Sequence, residues 1–289
     1  MDIPEIIFTS LGLVVLDEIR FSNKKPLTNV LGGSGAYATL GARLFLSHPQ
    51  SSSVGLVIRA GKDFPETTKA LLDSWGVALT MQKEVDRLAT RGLLEYKDTT
   101  FGPKDFQYTT PVLAGGNVQN FVEAAGLVDV FSPNHIELAR IFGEAVGSLF
   151  KGKIEQLALK IVARDVGQEG KGAVIIRAGE HGCLIAKKNM SPLWLPPYYD
   201  MADNQRNKVI DPTGAGNAFL GAYAVGYAKT RSVIQAACYG SVGASFALEQ
   251  VGMPVKSDEG GCELWNEVHV QSRLQEYMSR REVAAILEG

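Results

Sequence analysis

The chain has 289 residues, of which 45% are hydrophobic and 21% charged, and its formal net charge is −2. A chain of this size buries a large core without disulfide or metal staples, and a charge so near zero excludes the basic surface that nucleic acid or an anionic membrane attracts. Cys183, Cys238 and Cys262 are widely spaced, with no CxxC or Cys/His metal spacing, and read as free thiols of a reducing compartment. The apolar run at 6–16 is short and follows Asp2 and Glu5, the wrong flank for a signal peptide. No run reaches the roughly 20 apolar residues of a membrane span, so a cytoplasmic location is expected.

Residues 6–15 are nearly all apolar, as in a strand buried on both faces, with Asp17 at its carboxyl end. Polar residues then break the pattern until Leu31-Gly32-Gly33-Ser34-Gly35-Ala36, which leads into a small-residue helix over 37–46. A strand over 53–58 and a helix over 64–75 follow. Residues 88–96 and 105–110 alternate more and carry more charge around Gly102-Pro103, the pattern of an exposed β-flap. A short strand at 128–131 ends at Ser132-Pro133-Asn134, and a helix starts at Ile136. Next come a strand at 173–176, a tight turn at 179–182 and a strand at 183–186. Val209-Ile210 is expected to close a strand before the loop 211–216, and helices run over 217–227 and 233–248. The charged stretch beyond Val255 holds an amphipathic helix at 268–278. Strands alternating with helices predict one α/β domain over 1–289, with a mostly parallel central sheet and helices on both faces. Ligands of such sheets sit outside the carboxyl ends of the strands, where Asp17, Asn134, Gly179 and the 211–217 loop are all placed.

The richest segment is Asp211-Pro212-Thr213-Gly214-Ala215-Gly216-Asn217. Gly214, Ala215 and Gly216 let a ligand approach the backbone, and the helix that follows turns its free N–H groups and positive dipole end toward the loop. The result is an anion hole, which suits a phosphoryl group whose charge spreads over three oxygens. Taken alone, Gly-Ala-Gly fits an ordinary strand-to-helix turn equally well. The continuation through Ala218, Phe219, Gly221 and Ala222 predicts a helix packed close to the sheet.

This segment resembles the signature of the ribokinase/PfkB family of carbohydrate kinases, D-x-T-G-A-G-D. Other marks of the family follow in order: Gly32-Gly33-Ser34-Gly35-Ala36, Gly61 with Asp63, Asn134 with Glu137 as N-x-x-E, and Arg177-Ala178-Gly179-Glu180-His181-Gly182 for T-x-G-x-x-G. Each is weak alone, and their ordered co-occurrence over about 6–255 is what carries the resemblance. It implies a ribokinase-like α/β fold with a small β-lid, formed by segments at about 18–30 and 88–110, that can also clasp a homodimer. It implies ATP and a small-molecule substrate as ligands, with Mg²⁺ and a monovalent cation such as K⁺. Asp17, Gly32, Gly33 and Tyr37 would then meet substrate. Asn134, Glu137, Arg177, Gly179, Gly182, Asp211 and Thr213 would serve the nucleotide side. Glu137 would act on Mg²⁺ through water, Asp211 and Thr213 would help form the monovalent-cation loop, and Gly214, Ala215, Gly216 and Asn217 would form the catalytic segment. From the residues alone, Asp17 also fits a cap or turn, and Asn134 with Glu137 a helix-capping pair.

Four departures bear on function. Tyr37 stands where the family often has Asn, and Arg177 replaces a common Thr and is placed to touch a phosphate. Between Thr110 and Asn134 there is too little chain for the usual parallel strand–helix units. Asn217 replaces the catalytic aspartate, as in the fungal maintenance-of-killer branch that the segment Ser132-Pro133-Asn134-His135 also resembles. An amide takes no proton from an alcohol at neutral pH. Three readings therefore stand: an ATP-dependent kinase of a sugar-like or nucleoside-like metabolite, a nucleotide-binding pseudokinase with a regulatory role, or an enzyme activating a carboxylate with ATP.

Overall fold

The computed structural model describes residues 5–10, 12–96, 105–109, 120–145, 149–200 and 205–289. In chain order the elements begin with β1 (Phe8–Ser10), β2 (Val15–Phe21), β3 (Leu27–Gly32), α1 (Ser34–Leu44), β4 (Val54–Gly61), α2 (Glu66–Ser74) and β5 (Ala78–Glu84). They continue with β6 (Arg91–Tyr96), β7 (Asp105–Tyr108), α3 (Asn120–Ala125), β8 (Val130–Phe131), α4 (His135–Ile141), α5 (Lys151–Val162), β9 (Ala173–Arg177), β10 (Cys183–Lys187) and β11 (Met190–Leu195). The carboxyl-terminal part holds α6 (Ala215–Thr230), α7 (Val233–Leu248), β12 (Lys256–Glu259), β13 (Cys262–Trp265), α8 (Val270–Ser279) and α9 (Arg281–Glu288).

Strands β1, β4 and β5 form a parallel sheet in that order, and β8 joins β9 in parallel while β10 and β11 add antiparallel. In β4 the buried Leu56, Ile58 and Ala60 alternate with the exposed Val57 and Arg59, the period of a strand covered on one face. Among the described residues these two sheets share no hydrogen-bonded strand: β1 pairs with β4 and β8 with β9, and nothing joins β1 to β8. The chain between them in sequence is the stretch already short at the sequence level, and 110–119 lies outside the described residues.

The run expected as one strand at 6–15 is two. β1 stops at Ser10, and β2 belongs to a separate four-stranded sheet ordered β3-β2-β6-β7. Asp17 is thus not beyond a central strand but inside β2, opposite Val30 and Gly92. The two flap segments are this sheet, with β6 parallel to β2 and antiparallel to β7; the turn at Gly102-Pro103 lies outside the described residues. Its small core is Ile19, Leu94 and Tyr96. Val209 and Ile210 do not form a strand; Ile210 N–H donates to Leu248 O at 2.7 Å and anchors the chain before the glycine loop.

Helix α6 packs chiefly on α1 and α7 rather than on the sheet. Small residues make this possible. A Cβ at Gly41 would strike Ala218 O, one at Gly221 would strike Ala38 O, and one at Gly243 would strike Ala222. The three helices meet backbone to backbone, which fixes the amino terminus of α6 over the sheet. The main core joins α1, α6 and α7 to β4, β9 and β10, and a second core lies beneath α4 and α5.

Candidate active site

The loop before α6 is held from within. Asp211 is 1% exposed, and its Oδ1 accepts from Thr213 N–H at 2.9 Å and from Thr213 Oγ1 at 2.6 Å. Gly214 then takes φ 77°, a left-handed conformation that costs an L side chain dearly, and its carbonyl accepts from Asn217 and Ala218 N–H at 2.9 Å each. Ala215, Gly216 and Asn217 are the first turn of α6; Ala215 N–H donates to Pro212 O at 3.3 Å and Asn217 N–H to Gly214 O, and the N–H of Gly216 points with them to the amino-terminal end of the helix. The loop thus has the left-handed glycine and the helix start that the sequence led one to expect.

Two side chains of the chain itself lie against this loop. The ring of Tyr37 sits on Gly214, so closely that a Cβ there would overlap it. Arg177, the last residue of β9, sets Nη1 against Gly216 in the same way. Gly214, at positive φ under the ring, has no room for a side chain, whereas a Cβ at Gly216 would require the end of Arg177 to shift.

On the Tyr37 side the structure gathers Asp17, Gly32, Tyr96, Asp211 and Thr213. Asp17 is 6% exposed and rests its Oδ2 on Gly32, where a Cβ would displace it. Burial, and then the carboxylates of Asp211 and Asp17, push the Tyr37 hydroxyl far above its usual range, so it stays protonated. Tyr96, from the flap, brings its hydroxyl 3.5 Å from Thr213 Oγ1 and stacks on Phe21 at 5.5 Å. Sequence reading passed over Tyr96; its signal is an aromatic at the end of a flap strand whose neighbours alternate. Gly33 lies beside this group, and at φ 94° it passes the backbone of Leu13, which leaves it no room for a side chain. Gly61 and Asp63 likewise serve the scaffold. Asp63 accepts from Ala89 N–H at 2.6 Å and from Arg91 Nη2 at 2.8 Å, tying the end of β4 to the start of β6.

On the Arg177 side, Asn134 and Glu137 form the capping box that the residues alone allowed. Glu137 N–H donates to Asn134 Oδ1 at 2.8 Å and Asn134 N–H to Glu137 Oε2 at 2.7 Å. The same Oε2 lies 3.3 Å from Arg177 Nη2, which also donates to Ser132 O at 2.9 Å. Burial lowers the guanidinium pKa against the pull of Glu137, yet arginine remains charged. Gly179 (φ 59°) and Gly182 (φ 87°) shape the turn that follows; a Cβ at Gly179 would lie in ordinary contact with the His135 ring, whereas Gly182 packs on the backbone at Leu195. Among the described residues no three His, Cys, Asp or Glu side chains converge as metal ligands. One half-exposed carboxylate, Glu137, fits Mg²⁺ carried in on nucleotide phosphates and water, and not a caged ion.

The pfkB family carbohydrate kinase model matches residues 104–258, more than half of the chain. An uncharacterised protein of Schizosaccharomyces pombe is 26% identical, covering 100% of this chain and 98% of the relative. Protein MAK32 of Saccharomyces cerevisiae is 25% identical over 93% of this chain and 91% of its own length, in line with the maintenance-of-killer resemblance. The first of these alignments runs over 358 positions for a chain of 289, so at least 69 positions have no counterpart here. The structure of Arabidopsis thaliana ribokinase complexed with ribose and ATP superposes with a TM-score of 0.67 over 96% of this chain and 100% of that one, at 16% identity. The fold is therefore the ribokinase-like α/β fold that the motifs implied. By the match of this family model over more than half of its length, the chain belongs to the pfkB family of carbohydrate kinases.

Proposed function

We propose that the chain is an ATP-dependent phosphotransferase acting on the hydroxyl of a small, neutral, sugar-like or nucleoside-like metabolite. The observation that carries this reading is the polarity of the loop 211–217: a cation, Arg177, lies against Gly216, and buried carboxylates, Asp17 and Asp211, lie on the Gly214 side. A nucleotide's phosphates belong at the first, and a polyol, which donates hydrogen bonds, at the second. Asp17 would orient the acceptor and Tyr37 would close the floor beneath it. The N–H groups of Ala215 and Gly216 would take the phosphoryl oxygens, while Asn134, Gly179 and Gly182 shape the nucleotide side. Mg²⁺ on the phosphates, with Glu137 reaching it through water, would neutralise charge between them. Asp211 and Thr213 are the residues we assign to a monovalent-cation loop. We place the protein in the cytoplasm, with nucleotide and metabolite as its ligands and the flap as the surface of a homodimer. No helix among the described residues is long and apolar enough to cross a membrane.

A second reading, nucleotide binding without turnover, is favoured by Asn217 together with the Tyr37 ring seated on Gly214. Activation of a carboxylate is disfavoured, because Asp17 and Asp211 would repel an anionic acceptor. Calorimetry with ATP and Mg²⁺ is expected to show binding. Folded protein with no heat of binding at millimolar nucleotide would remove both surviving readings. The two part on Asn217→Asp. Where an alcohol is the acceptor, the restored carboxylate supplies a general base, and ATP consumption on one identified alcohol is expected to rise ~10-fold or more. A fall on the same alcohol would show the amide to be adapted to the reaction.

A further inference from the structure

We propose that Tyr96 is a positioning residue that latches the flap to the loop 211–217 and so fixes where Asp17 stands relative to that loop. The inference rests on the phosphotransferase reading and adds to it the residue that ties the acceptor side to the phosphoryl side.

Strand β6 is pinned at one end and meets the loop with the other. At its start, Arg91 Nη2 donates to Asp63 Oδ2 at 2.8 Å and Arg91 Nη1 to Asn29 Oδ1 at 2.9 Å. Tyr96 ends the strand, roughly 17 Å further along at the usual rise per residue. Its ring belongs to the flap's own core: it is 5% exposed, lies with Ile19 and Leu94, and stacks on Phe21, its partner in the parallel neighbour β2. Val251, in the chain that follows α7, packs against the same core. A ring so fixed carries its hydroxyl out of the flap to Thr213 Oγ1, 3.5 Å away. Thr213 Oγ1 gives its single proton to Asp211 Oδ1 at 2.6 Å, so Tyr96 is the donor in this contact. Burial raises the Tyr96 pKa; the hydrogen bond with Thr213 opposes that rise, and the charge and hydrogen bond of Asp211 add to it, so the hydroxyl keeps its proton. The chain of contacts thus runs from the flap to the buried carboxylate that shapes the loop, since Asp211 also accepts from Thr213 N–H at 2.9 Å.

The same sheet carries Asp17, on β2 opposite Gly92 of β6. Asp17 and Tyr96 therefore move together when the flap moves. Transfer needs the acceptor oxygen about 3–3.5 Å from phosphorus and in line, and at a site without a carboxylate base that placement carries much of the rate. A contact that sets the flap against the loop sets this distance. At 3.5 Å it is long for an O–H···O bond, which suits a latch that opens to admit the acceptor.

The test is amide hydrogen exchange on wild type, Tyr96→Phe, which keeps the stacked ring, Thr213→Val, which removes its partner, and the double variant, each with and without ATP and Mg²⁺. Two sets of amides are read: those of β6, and those of Asn217 and Ala218, which donate to Gly214 O. Without nucleotide, each single variant is expected to exchange ~3- to 10-fold faster than wild type at both sets, the loss of one net hydrogen bond, and the double variant no faster than the faster single one. With nucleotide, wild type is expected to gain protection at both sets, and Tyr96→Phe at the loop alone. A tyrosine that only packs the flap predicts faster exchange in β6 alone, additive effects of the two substitutions, or protection of both sets in Tyr96→Phe as in wild type. Any of these overturns the latch and leaves the phosphotransferase reading in place. Wild type that gains protection at neither set in millimolar nucleotide brings down that reading instead, and the comparison without nucleotide still decides the latch.

Discussion

Gly216→Val is expected to abolish measurable ATP binding while most of the fold survives. Gly216 does not occupy the left-handed region and lies within the first turn of α6, so valine meets no conformational barrier. In the helix a β-branched residue costs less than about 1 kcal/mol relative to alanine. Its Cβ, however, collides with Arg177 Nη1 and fills the space over the loop's N–H groups. Displacing the guanidinium adds an overpacking cost of about 1–3 kcal/mol, within the margin of a stable domain. Calorimetry with ATP and Mg²⁺, beside a thermal melt, reads both effects. A folded variant that keeps its affinity would show that phosphate binds elsewhere. Gly214 makes the contrast: at φ 77° and beneath the Tyr37 ring, it would lose loop geometry and ligand together.

Arg43→Met is expected to destabilise the protein by about 3 kcal/mol, the low end of the 3–5 kcal/mol range for breaking a buried pair from one side. Arg43 is 1% exposed on α1, donates from Nη1 to Leu46 O at 3.0 Å and to Glu263 Oε1 at 2.7 Å, and from Nε to Trp75 O. It also lies over the Trp265 ring at 5.7 Å. The low end applies because Glu263 keeps some solvent, a hydrogen bond from Trp265 Nε1 at 3.0 Å and Lys256 at 3.5 Å. Burial raises the Glu263 pKa, but the hydrogen bond and charge of Arg43 outweigh it and leave it below its usual value. Its stabilising share is thus fully present above the unfolded value of about 4.3 and is lost as pH falls through the lower folded value. Urea denaturation from pH 6 to 3 should show this acid loss in wild type and a shallower one in Arg43→Met. Parallel curves offset by a constant would mean that Glu263 does not depend on Arg43.

The sequence by itself determined the class of fold and the local geometry of the loop. Asp211 to Asn217 is a local device: an Asx-type turn, a left-handed glycine and a helix start need only their own neighbours. The same holds for α7, found at Val233–Leu248 where its small-residue run placed it, and for the capping box of Asn134 and Glu137. Helix α5 was legible too, since Ile154, Leu157, Ala158 and Ile161 recur at helical spacing, although it was not drawn from the sequence.

Tertiary structure decided the rest. Apolar character marks residues 6–15 as strand but cannot say that the chain leaves one sheet at Ser10 and enters another at Val15, because both environments are apolar. At Gly33, Gly61 and Gly182 only the tertiary structure shows the backbone of Leu13, Ala89 and Leu195 passing so close that no side chain fits. The polarity of the site is also a long-range fact. Tyr37 and Arg177 come from opposite parts of the chain, and they face Gly214 and Gly216 because small residues let α1 and α6 touch while β9 ends at the loop. No local pattern encodes which side chain a distant element will bring to a given glycine.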